Sequence, residues 1–78
     1  MTNLETVFNI MFKIKKICIN NENNTNLEVL EADGNFLVFL FNELEKNYEV
    51  LSKKNQKDLK DLKYELYFYA KMTFKGYF

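Results

Sequence analysis

Seventy-eight residues, 47% of them hydrophobic, suffice for one small domain that packing must stabilise, because a single cysteine cannot form an internal disulfide. Eleven lysines balance eleven acidic residues, and arginine, histidine, tryptophan and proline are absent. Without histidine there is no Ser–His or Cys–His nucleophile pair and no zinc-ligand set, and without arginine there is no bidentate fork for phosphate, carboxylate or guanine.

The chain opens on Thr2-Asn3-Leu4-Glu5, which has the form of a capping box: Thr2 is placed to accept from the backbone and Glu5 to reach back. Leu4, Val7, Phe8, Met11, Ile14 and Cys18 then recur at helical spacing, with Thr6, Asn9, Lys13 and Lys16 on the opposite side. The same stretch also alternates, Phe8, Ile10, Phe12 and Ile14 against Asn9, Met11, Lys13 and Lys15, as a half-buried strand would. The helix is the preferred reading.

Asn20 to Asn26 predicts a loop, since Asn and Thr compete with the backbone for hydrogen bonds. Asp33-Gly34 admits two structures. It could turn a hairpin pairing residues 27–31 with 36–40, or Asp33 could cap a helix from about Asn35 to Lys53. Leu37, Leu40, Phe41, Leu44, Tyr48 and Leu51 form a regular stripe, which favours the helix. A break at Ser52–Asn55 leads to a last helix, Gln56 to Phe74, with Leu59, Leu62, Leu66, Tyr69 and Ala70 inside and Gly76 at its end. Glu49–Lys53, Lys54–Asp58 and Lys57–Asp61 add support at i, i+4 spacing. The expected fold is all-α, a small bundle of three amphipathic helices forming a single domain over 1–78. The alternative is α+β, an N-terminal antiparallel hairpin or three-stranded sheet packed on two helices.

Little in the chain points to chemistry. Gly34 and Gly76 are the only glycines, which excludes a phosphate-binding loop or a dinucleotide fingerprint. Glu43 with Glu45, and Asp58 with Asp61, read as solvated helix faces rather than catalytic carboxylate pairs, and Cys18 reads as a buried small hydrophobe. No catalytic residue, cofactor or metal site is expected. The informative stretch is the last helix. Tyr64, Phe68 and Met72 lie at i, i+4 and i+8, away from Leu59, Leu62 and Leu66, with Lys71 and Lys75 beside them. Aromatic and Met side chains rimmed by charge have the composition of an interface centre. The competing expectation is that the first helix or the loop covers this side. Tyr77 and Phe78 are expected to dock back onto the core.

Charge is arranged in blocks. Between Glu22 and Glu49 there are seven acids and one lysine, and from Lys53 onward seven lysines face three acids. The two blocks could pair internally or meet different ligands. The missing arginine, and Asp58 and Asp61 within the basic stretch, weigh against direct nucleic-acid binding. The first twenty residues are interrupted by Asn9, Lys13, Lys15 and Lys16 and lack a small-residue cleavage site, and the longest apolar run, Phe36 to Phe41, is far short of the ~20 residues of a membrane span. A cytoplasmic location is expected, with no membrane partner.

These features suggest a non-catalytic protein-binding module, a small stoichiometric inhibitor or adaptor whose partner is another protein. The alternatives are a homo-oligomeric structural protein closed by the same patch, and a small nucleotide or nucleic-acid binder using Lys and Tyr. In size and in its Asn- and Lys-rich, AT-biased composition the chain resembles small proteins encoded by phages and mobile elements, anti-CRISPR proteins among them. That resemblance implies an anti-defence role in a host cytoplasm.

Overall fold

A side-chain cap starts each of three helices in a computed structural model, which describes residues 2–78. Thr2 Oγ1 accepts from the Glu5 amide at 3.1 Å and opens α1, Asn3–Asn20. The Asn26 side-chain oxygen accepts from the Glu28 and Val29 amides and opens α2, Leu27–Glu49. Ser52 Oγ accepts from the Asn55 amide and opens α3, Lys53–Phe74. Such caps satisfy amides that the first helical turn leaves without partners, worth about 1 kcal/mol each.

The helices run up, down and up. Lys63 meets Glu45, Tyr67 meets Phe41, and the Tyr48 hydroxyl donates to the Gln56 carbonyl, so α3 descends the sequence of α2 as it climbs its own. Phe8 and Phe12 lie beside Leu62 and Leu66, and Tyr69 bonds Glu22, which makes α1 and α3 parallel. The principal extents are 40 × 21 × 16 Å. Val7, Ile14 and Cys18 of α1, Leu37 and Leu44 of α2, and Ala70 and Phe74 of α3 are fully buried along the axis. Each large apolar side chain so removed from water contributes about 1.5–3 kcal/mol.

The all-α, three-helix expectation holds, and no strand occurs among the described residues. Neither reading of Asp33-Gly34 does. The helix passes straight through the pair, capped seven residues earlier by Asn26, so α2 begins at Leu27 instead of near Asn35. Gly34 is buried in the helix because the C-terminal tail crosses it: a Cβ there would stand 1.9 Å from the Tyr77 carbonyl oxygen. Gly76, at φ +108°, and Lys75, in the left-handed region at φ 46°, turn the chain back after α3. Both glycines therefore serve the same tail, one to bend it and one to receive it. Phe78 docks, its ring 5.1 Å from Phe41 and 5.6 Å from Tyr67.

Five smaller expectations also change. Asn20 completes α1, leaving the loop at 21–26, and α3 starts at Lys53, not Gln56. Glu49 and Lys53 consequently fall in different helices and are no helical i, i+4 pair. On α1, Phe8 is 47% exposed and Ile10 takes its place inside, while Leu62 of α3 stays partly exposed. Asn21 is the one buried polar side chain among the described residues. Its Nδ2 donates to the Ile17 carbonyl and to Asp33 Oδ2, both at 2.9 Å, and its oxygen accepts from Asn24, which ties the α1–α2 loop to α2.

Candidate partner-binding surface

The outward side of α3 follows from its own periodicity. With Leu59, Leu66, Ala70 and Phe74 turned inward, residues 64, 68 and 72 point away from the core. Tyr64 is 50%, Phe68 62% and Met72 75% exposed, so neither α1 nor the loop covers them. The ridge is braced from one side by rings. Tyr67 meets Phe68 edge-on at 6.2 Å, and Lys71 Nζ lies 5.4 Å from the Tyr67 ring and 5.3 Å from the Phe78 ring. Lys75 is exposed just past the last helical residue. The five sequence-derived residues thus lie together on one face.

Beside the ridge is a hollow of about 340 Å³ lined by Phe41, Glu45, Lys63, Tyr64 and Tyr67. Lys63 joins its two walls, donating to Glu45 at 2.6 Å and lying 4.2 Å from the Tyr48 ring. This pair links the basic third helix to the acidic second one, so part of the charge asymmetry is settled within the chain. Glu43 accepts from Lys46 at 3.4 Å, so Glu43 and Glu45 each hold a lysine of their own.

Two further apolar surfaces escaped the sequence reading. Phe12, 68% exposed, stands with Phe8 over a hollow of about 430 Å³ bounded by Leu62 and Leu66 of α3. Phe36 and Phe39 stack at 6.1 Å on the outside of α2. The signal was present in α1: Leu4, Val7, Phe8, Ile10, Met11, Phe12, Ile14, Ile17, Cys18 and Ile19 are too many apolar residues for one inward face.

Cys18 is fully buried, and burial, with Glu22 nearby, pushes its thiol up to about 11. Tyr69 donates its hydroxyl to the Glu22 carboxylate, and that bond, with some desolvation, raises the phenol to about 12. Both groups are held neutral at physiological pH, which disfavours thiolate chemistry at Cys18. Among the described residues no three His, Cys, Asp or Glu side chains are grouped to hold a metal ion, and no helix is long and apolar enough to cross a membrane. No protein-family model matches the chain, and no curated protein or solved structure matches it.

Proposed function

We propose that the chain is a non-catalytic protein-binding module, an inhibitor or adaptor that engages its partner through the outward face of α3. The observation that carries this reading is the exposure of Tyr64, Phe68 and Met72 as one ridge with lysines at its edge. Large apolar side chains left in water are where a partner gains the most by covering them, and a few such anchors supply most of an interface's affinity. The adjoining hollow offers a place for a partner's own anchor, and Lys71 and Lys75 would favour acidic groups at the rim. An anti-defence inhibitor of phage type, acting in a host cytoplasm, is the setting that the composition suggests for such a module.

The test is a capture from lysate of the source cell with wild type and Phe68→Asp side by side. One partner at near-equal stoichiometry, lost with Phe68→Asp while circular dichroism stays helical, is the expected result. A partner retained by Phe68→Asp would place binding on another surface. A second reading, in which the face closes a homo-oligomer, is favoured by the order of charges along α3.

A further inference from the structure

The outward face of α3 reads the same in both directions, with its charges inverted. Counting from Phe68, Tyr64 and Met72 stand four residues to either side, Glu65 and Lys71 three, and Asp61 and Lys75 seven. At 3.6 residues per turn, the five that lie within α3 fall within about 60° of the Phe68 direction, and Lys75 follows directly after the last helical residue. All seven residues are exposed. Asp61 and Glu65 form a like-charged i, i+4 pair within the helix, an arrangement that works against it in isolation, and Lys71 and Lys75 stand four apart at its C-terminal end. None of the four closes an ion pair, although Lys57 stands one turn before Asp61: among the described residues the ion pairs are Lys46–Glu43 and Lys63–Glu45.

We infer that this face is occupied by a second copy of the chain, with α3 antiparallel to α3 about a two-fold axis at Phe68. The inference rests on reading the face as an interaction surface and names its occupant. In that arrangement Phe68 meets Phe68, Tyr64 meets Met72 of the second copy, and the acid pair of each copy faces the lysine pair of the other. The contact is isologous, so it closes at two chains instead of polymerising. The other apolar faces lack this property. Reversal of α1 about Phe12 sets Lys16 against Phe8 and Glu5 against Ile19, opposing no charges. Around Phe36 and Phe39 the charges are Glu28, Glu43 and Lys46, with Lys46 already paired with Glu43, and reversal sets Glu43 against Ala32 and Glu28 against Asn47, so no acid meets a lysine. A contact of one helix on one helix is small beside the ~1,200–2,000 Å² of stable interfaces, so dissociation in the micromolar range is expected.

Sedimentation equilibrium of the whole chain tests this with Asp61→Lys/Glu65→Lys, Lys71→Glu/Lys75→Glu, and their equimolar mixture. The wild type is expected to rise with concentration from 9.4 kDa towards twice that mass. Each variant alone carries a single sign from residue 61 to 75 of the face and should remain monomeric, while the mixture, with opposite faces, should form a heterodimer. Phe68→Ser gives a route that leaves the charges alone and should weaken the dimer at least tenfold. Circular dichroism of each variant verifies the helices. A wild type that stays at 9.4 kDa throughout overturns the inference but leaves the face open to a different protein, which the capture experiment decides. A wild-type dimer kept by the variants, or a mixture that forms no heterodimer, overturns it by putting the contact elsewhere.

Discussion

Replacing Gly34 by alanine should change sign with the presence of the last two residues. In an open helix interior the change stabilises by about 1 kcal/mol, because glycine has the larger backbone entropy to lose. Here the new Cβ would lie 1.9 Å from the Tyr77 oxygen and 2.8 Å from its carbonyl carbon. Ordinary contact begins near 3.4 Å, so the tail must retreat by about 1.5 Å (3.4 less 1.9). The obstacle is backbone, not a flexible side-chain tip, and Phe78 follows it directly. A retreat of that size lifts Phe78 off Phe41 and Tyr67. Losing a half-buried Phe costs about 1–1.5 kcal/mol of transfer energy, and losing its ring pairs about 0.5–1 more. Against the 1 kcal/mol gained, Gly34→Ala should therefore destabilise the full chain by about 1 kcal/mol, lowering Tm by about 4–8 °C. In a chain lacking residues 77–78 the same substitution should stabilise by about 1 kcal/mol. Urea denaturation of the four proteins, followed by circular dichroism, gives a coupling of about 2 kcal/mol. Equal stabilisation in both backgrounds would refute the tail-docking argument.

Other substitutions separate core from surface. Phe74→Ala empties the largest fully buried side chain and should cost about 3–5 kcal/mol in urea denaturation, whereas Phe68→Asp should cost no more than about 0.5. Asn21→Ala removes both donations and the Asn24 contact, leaving Asp33 short of a partner, and should cost about 1–3 kcal/mol in the same assay. The thiol of Cys18 ionises near 9.0 when unfolded and near 11 when folded, so the unfolded chain loses its proton first. Stability present below pH 9 should fall as pH rises through 11, more steeply in the wild type than in Cys18→Ala. Identical pH profiles for the two would remove Cys18 from that account, and rapid native-state alkylation at neutral pH would contradict its burial.

The elements that were legible in the sequence are those set by local chemistry. Thr2 and the spacing of Val7, Met11, Ile14 and Cys18 specify α1, and Leu37, Leu40, Leu44 and Leu51 specify the inner side of α2. What was hidden depended on distant contacts. Asp33-Gly34 looks like a boundary because glycine is costly in a helix, and only the Tyr77 carbonyl crossing it explains the residue. The side chain of Asn26 could cap a helix or sit in the Asn-rich loop with equal local sense, so the start of α2 lay eight residues earlier than Asn35. The candidate face was legible because α3 is amphipathic on its inner side, which fixes where residues 64, 68 and 72 must point. Whether Phe8 or Ile10 of α1 would be inward was not legible, since α1 has more apolar residues than one face can bury and the approach of α3 decides between them.

The most direct test of the central claim is oxidative footprinting of the chain, read by mass spectrometry, free and dilute against bound in lysate or self-associated at high concentration. Exposed Met72 should oxidise readily when free, with buried Met11 as the slow internal reference. Labelling of Tyr64, Phe68 and Met72 should fall on association while that of Phe12 and Phe36 is unchanged. Protection of Phe12 or Phe36 with Met72 still oxidised would show that the chain binds through another face.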